Sequence, residues 1–143
     1  MIPILRPEEK TLMKKIDVRT PSRDVLIDIT GHVENEVRES GAASGICLVY
    51  VPHTTAGLTI NENADPDVRR DILMTLERTA PDSLPYQHGE GNARAHVKAS
   101  LVGSSVSIPI EDGRLALGTW QGVFLCEFDG PRRRQVLVQI IPA

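Results

Sequence analysis

Aromatic side chains are scarce: one Trp, two Tyr and two Phe in 143 residues. That leaves little to build the stacking platforms on which RRM and OB-type domains hold bases. Positive charge is not in surplus either. Sixteen Lys and Arg stand against nineteen Asp and Glu, a net charge of −3, so no broad cationic face is offered to nucleic acid or to anionic lipid. The longest apolar run, Ile46 to Val51, is six residues, against the roughly 20 that a membrane-crossing helix needs. The stretch from Met1 to Lys10 has no extended apolar core and no small-residue cleavage site, so a cytoplasmic address is the expectation. The two cysteines, Cys47 and Cys126, each lie inside an apolar strand-like run. They suit buried reduced thiols better than a disulfide framework or a metal knuckle.

What is present suffices for one domain with its own core, expected over residues 1–143, since no repeat, low-complexity tract or Gly/Ser linker divides the chain. Ile16 and Val18 alternate with charged neighbours and Val25 to Ile29 repeats the period of two, which predicts two early strands that pair with each other. Thr30 is placed as the N-cap of a short amphipathic helix carrying Val33 and Val37 and stopped by Gly41. Gly45 to Val51 is a continuous, buried-type strand broken by Pro52; after His53-Thr54-Thr55, extended structure resumes over Gly57 to Ile60. Asp65-Pro66 is a cap followed by a pre-set φ, and Val68, Ile72, Leu73 and Leu76 mark one helical face until Pro81. Asn92 is the candidate cap of a last helix that carries His96 and ends before Gly103.

The C-terminal third is β: Val106 to Ile110, a turn at Asp112-Gly113, Leu115 to Leu117, Val123 to Phe128, a turn at Asp129-Gly130-Pro131, then Val136 to Ile141. It reads as an antiparallel meander. No regular βαβαβ alternation appears. The expected class is therefore α+β, a compact single domain with a largely antiparallel β-sheet or sandwich and short helices between strands.

His32 lies in a charged surface helix and is set aside. His53, His88 and His96 fall at element ends or in loops, where functional groups project. Three neutral imidazoles would hold Zn²⁺ and leave a fourth position open, but their spacing has no short-range metal signature, so taken alone it favours separate hydrogen-bonding or surface roles. Glu62, Asp65 and Glu90 bracket these positions and could orient a ligand nitrogen or take a proton from water; for Asp65 the alternative is helix capping alone. Thr54, Thr55, Asn61 and Asn92 add hydrogen-bonding groups and Lys98 a charge, a set that suits an oxyanion. No Walker or Rossmann glycine pattern is present. Arg132-Arg133-Arg134 is read as a solvated hairpin tip, an anion site or a subunit contact. Trp120, between Gly118 and Gly122, is either packed in the core or an interface, or the wall of a pocket.

Taken in order, Pro52-His-Thr-Thr-Ala-Gly57, Asn61-Glu62, Asp65-Pro66, His88-Gly-Glu-Gly-Asn92, Ala95-His96-Val-Lys98, Gly118-Thr-Trp-Gln121 and Asp129-Gly-Pro-Arg132 resemble the YjbQ family, whose members are often labelled secondary thiamine-phosphate synthase. The resemblance runs from about the first strand to the C-terminus. It implies a homotrimer with pockets near subunit boundaries, and His53, His88 and His96 as ligands of a divalent metal, zinc first. It further implies Glu62 and Glu90 as catalytic candidates, with Thr54, Asn92, Gln121, Lys98 and Arg132 around a small phosphorylated metabolite, to which the reading of the residues adds Thr55 and Asn61. The implied reaction joins hydroxymethylpyrimidine diphosphate to a thiazole phosphate. A metal-assisted hydrolase of a phosphorylated metabolite and a non-catalytic metal- or metabolite-binding trimer are the alternatives. Neither a nucleic-acid nor a membrane partner is expected.

Overall fold

A computed structural model describes residues 13–143. The chain runs β1 (Met13–Arg19), β2 (Val25–Asp28), α1 (Thr30–Ser40), β3 (Gly45–Tyr50), β4 (Ala56–Glu62), α2 (Pro66–Thr79), α3 (Ala93–Val102), β5 (Ser105–Glu111), β6 (Arg114–Leu115), β7 (Gln121–Glu127) and β8 (Arg133–Pro142). The strands form a five-stranded sheet, β1-β8-β3-β5-β6, and a three-stranded sheet, β2-β7-β4. Every pairing is antiparallel. The α+β class is as expected from the sequence, and no helix among the described residues is long and apolar enough to cross a membrane.

Three layers result. Alternate residues of β1, β3, β5 and β8, among them Ile16, Val49, Ile108 and Val138, face Leu58 of β4 and Val123 and Leu125 of β7, with Val33 and Val37 of α1 closing the side. The other face of β7 presents Phe124 and Cys126, followed by Phe128, to Ala95 and Ala99 of α3 and to Ile72, Leu73 and Leu76 of α2. β7 is thus covered on both faces, which is why its sequence is a continuous apolar run and not an alternating one.

Two pairings differ from the sequence expectation. β1 pairs with β8 and β2 with β7, so the two early strands lie in different sheets. The C-terminal third is no meander, because β7 crosses into the three-stranded sheet and β8 returns between β1 and β3. Local patterning reports which residues a strand buries; its neighbour is decided by which sheet offers a complementary face. Local signals held better. Asp112 and Gly113 both take positive φ, 51° and 74°, as a two-residue hairpin turn requires. The Asp65 carboxylate accepts from the Asp67 N–H at 2.9 Å, and Gly41 closes α1 in the left-handed conformation. Thr30 is the first residue of α1 and not its cap: its hydroxyl donates to Asp28 Oδ1 at 2.6 Å and accepts from the Val123 N–H at 2.8 Å, pinning the helix start to β7. Asn92 precedes α3 but makes no side-chain cap. Trp120 is 62% exposed, so it is not core.

Candidate functional site

The junction between β3 and β4 is clasped against the end of α3. Val51 N–H donates to Ser104 O at 2.9 Å and Leu58 N–H to Gly103 O at 3.0 Å. Gly57 permits this approach: a Cβ there would lie 2.7 Å from the Gly103 carbonyl oxygen. The clasp leaves a cleft of about 520 Å³ lined by His53, Thr54 and Ala56 on one side and by His96, Ala99, Ser100, Gly103 and Ser104 on the other. Ser100 and Ser104 were not singled out in the sequence. Ser100 follows His96 by four positions, one helical turn on the same face, which is the signal that could have found it.

His53 is oriented by the backbone. Its Nε2 accepts from the Gln135 N–H at 2.9 Å, so in the neutral ring the proton sits on Nδ1. Burial, and then the nearby Arg134 guanidinium, hold the imidazole below its ordinary value of 6.5 despite the Glu127 carboxylate. His88 and His96 meet edge to face, with ring centroids 5.2 Å apart and an interplanar angle of 81°. Two imidazoles on one tetrahedral zinc, each bonded at about 2.0–2.1 Å, would have centroids about 5 Å apart, so this pair has a spacing suited to one ion. The third ring does not complete it. His53 already uses its unprotonated nitrogen, and among the described residues no group of three or more His, Cys, Asp or Glu is placed to hold a metal. The full three-histidine set therefore does not fit the described geometry.

The remaining candidates divide among three places. Thr54 lines the cleft, and Glu90 is exposed with Oε2 3.7 Å from His88 Nε2. Asn61, Glu62 and Gln121 lie elsewhere, at the far end of the three-stranded sheet where Glu62 pairs with Gln121. That end is six residues along β4 from Ala56, about 20 Å at 3.3–3.4 Å per residue. There Asn61 Oδ1 accepts from the Glu62 N–H and Gln121 Oε1 from the Gly118 N–H, at 2.8 Å each.

The third group is structural. Lys98, expected beside the substrate, is fully buried with its ammonium on Asp24 and Glu77. Arg94 joins the same carboxylates and donates to Phe128 O at 2.9 Å. Thr55, also expected at the substrate, is buried and accepts from the Arg134 guanidinium at 2.8 Å. Asn92 donates to Asp129 Oδ2 at 2.9 Å, and Arg132 pairs with the same carboxylate at 2.7 Å. Beneath the His53 loop, Glu127 is fully buried against Arg134. It accepts from Thr20 at 2.7 Å and from the Phe128 and Asp129 N–H groups. Burial pushes its carboxyl up, but these donors hold it below the usual carboxylate range. The apolar-looking strand gave no cue to this pair beyond the charges themselves; only tertiary pairing shows that Glu127 and Arg134 share one interior space.

Fold and site together define a two-sheet α+β domain that carries a histidine- and hydroxyl-lined cleft where its sheets meet its C-terminal helix. The sequence pattern of the family described as "UPF0047 protein YjbQ-like" matches residues 14–143, and the chain belongs to that family. The UPF0047 protein of Methanocaldococcus jannaschii is 51% identical over 130 residues, covering 91% of this chain and 94% of that one. YugU of Bacillus subtilis is 49% identical over 131 residues, covering 91% and 99%. Among solved structures, an uncharacterized YjbQ/UPF0047 protein of Clostridium acetobutylicum superposes with a TM-score of 0.88 at 55% identity, covering 90% of this chain and 99% of that one. A protein of unknown function from Sulfolobus solfataricus gives 0.88 at 37%, covering 92% and 96%.

Proposed function

We propose that the chain is an enzyme of small phosphorylated metabolites that works in the His53–His96 cleft, with thiamine-phosphate synthase activity as its specific reaction. The observation that carries this is the cleft itself, in which two histidines, Thr54, Ser100 and Ser104 surround a space of about 520 Å³. Thr54, Ser104 and the imidazoles offer neutral donors to phosphate oxygens, while the Ser100 hydroxyl already donates to His96 O at 2.9 Å. His53 supports the reading because its neutral ring keeps an Nδ1–H to donate while the backbone fixes Nε2. Displacement of diphosphate at a pyrimidine methylene by the thiazole nitrogen needs no protein nucleophile. What it needs is two substrates held in line and a leaving group stabilised by donors aimed at its oxygens. A divalent ion, zinc first by donor softness, enters this reading only through the His88–His96 pair, and no step is assigned to it.

A homotrimer belongs to the same proposal. The outer face of the five-stranded sheet supports it, since Ile46, Tyr50 and Ile141, all more than 40% exposed, stand there beside Leu48 and Leu137 with no covering layer among the described residues. A solution mass of three times 15.7 kDa by light scattering is expected; a monomer would reject the assembly.

The deciding assay incubates purified protein with hydroxymethylpyrimidine diphosphate and thiazole phosphate and follows thiamine phosphate, before and after chelation and reloading with zinc. Product that falls at least about tenfold in the His96→Ala variant is expected. Absence of product, with phosphate released instead from a panel of phosphoesters, assigns hydrolysis to the cleft; binding without any turnover leaves a non-catalytic module. His88→Ala and His96→Ala are each expected to lower bound zinc in elemental analysis with the fold retained, because residues at element ends carry few core contacts.

A further inference from the structure

A second cleft borders Thr20, whose hydroxyl donates to the buried Glu127. It measures about 300 Å³ and is lined by Arg19, Thr20, Pro131, Arg132 and Arg133, sharing no residue with the histidine cleft. Arg19 and Arg133 are register partners on β1 and β8, so their side chains leave the same face of the sheet from Cβ atoms about 4.5–5.5 Å apart. Like charges directly opposed across two strands are destabilising. The neighbouring ion pairs do not relieve them: Asp129 is engaged by Arg132 and Glu127 by Arg134. Asp17 stands two register positions away on the same face, opposite Gln135. Among the described residues neither Arg19 nor Arg133 enters an ion pair.

Two arginines opposed on neighbouring strands beside a small cleft, neither of them in an ion pair among the described residues, form a charge arrangement completed by an oxyanion with several oxygens. The volume admits a phosphate or diphosphate group and is small for an entire drug-sized ligand. The net charge of −3 argues against a long polyanion as the occupant. The geometry points to this cleft as an anion site for the phosphate or diphosphate group of a small ligand, separate from the histidine cleft and outside the function proposed above. Thr20 forms the shared wall. Its hydroxyl donates to Glu127 at 2.7 Å, and Arg134 reaches through to Thr55 at 2.8 Å. Arg134 is thereby neutralised by Glu127, as Arg132 is by Asp129, which leaves Arg19 and Arg133 as the binding groups.

The test is calorimetric titration of the whole protein with inorganic pyrophosphate at low salt, in wild type, Arg19→Gln, Arg133→Gln and His96→Ala. Saturable binding is expected in wild type and in His96→Ala, weakened about tenfold or more in each arginine variant. Arg19 and Arg133 are exposed on different strands, so if one variant fails to fold the other still decides the matter. A thermal readout checks the same binding by another route: at one fixed pyrophosphate concentration the midpoint should rise in wild type and rise less in the arginine variants. No saturable binding in wild type overturns the assignment. So does binding kept in both arginine variants and lost in His96→Ala, which would place the anion in the histidine cleft.

Discussion

At the scale of single residues, the folded chain treats chemically similar side chains in opposite ways. Cys47 and Cys126 are buried and burial pushes both thiols up to about 12, so neither is a thiolate at neutral pH. Ellman's reagent should therefore leave native protein unlabelled and titrate two thiols only after denaturation; rapid labelling of the native chain would contradict the burial. Glu127 is the reverse case, a buried group kept ionised by the donors around it. Removing its partner by Arg134→Met should cost about 3–5 kcal/mol in urea unfolding, because a charge is left buried without a counter-ion. The double substitution Glu127→Leu with Arg134→Met should recover much of that loss, since apolar groups of similar volume often replace a buried pair without penalty. Recovery would show that the single variant's loss is the unpaired charge and not the missing contact.

At the scale of elements, the cleft exists because one glycine lets a strand touch the end of a helix. Gly57→Ala drives a methyl to 2.7 Å from the Gly103 oxygen and 3.1 Å from Val102 Cγ1. The end of α3 must then back away, with a loss of about 1–3 kcal/mol. His96 and Ser100 ride on that helix, so affinity for any ligand of the histidine cleft should fall further than in Asp65→Ala. The Asp65 cap starts α2, whose loss should cost about 1 kcal/mol and leave the cleft intact. Equal effects on ligand binding would remove the clasp from the account. This is also the scale at which much was legible beforehand. The apolar spacing of α2, the Asp65-Pro66 start, the Gly41 stop and the Asp112-Gly113 turn are short-range patterns whose physics is complete within a few residues.

At the scale of the whole molecule, carboxylates paired with buried cations set the response to acid. Glu77 and Glu127 are held below their ordinary 4.5: burial raises both, but Lys98 and Arg94 at Glu77, and Arg134 and Thr20 at Glu127, prevail. Below 4.5 the unfolded chain binds protons that the folded chain refuses, so the stability these groups supply is present above that pH and is lost as pH falls. The urea midpoint should decline through this window in wild type and decline less in the Glu127→Leu, Arg134→Met double variant. A flat profile in wild type would remove both pairs from the stability balance.

Class, single domain and the ends marked by Gly41 and Asp65-Pro66 follow from the sequence alone, because periodicity, caps and turn residues act between neighbours in the chain. The same holds for the burial of the two cysteines, which sit in apolar runs. Tertiary structure decided the rest. It put β1 beside β8 and β2 beside β7, brought His88 against His96 but engaged His53 through the Gln135 N–H, and left Glu62 and Gln121 at the other end of β4. It also buried Lys98 beneath two partly exposed carboxylates, Asp24 and Glu77. Strand partners, ring contacts and ion pairs are set by which faces meet across tens of residues, and charge or residue type carries no record of that distance until the chain has folded.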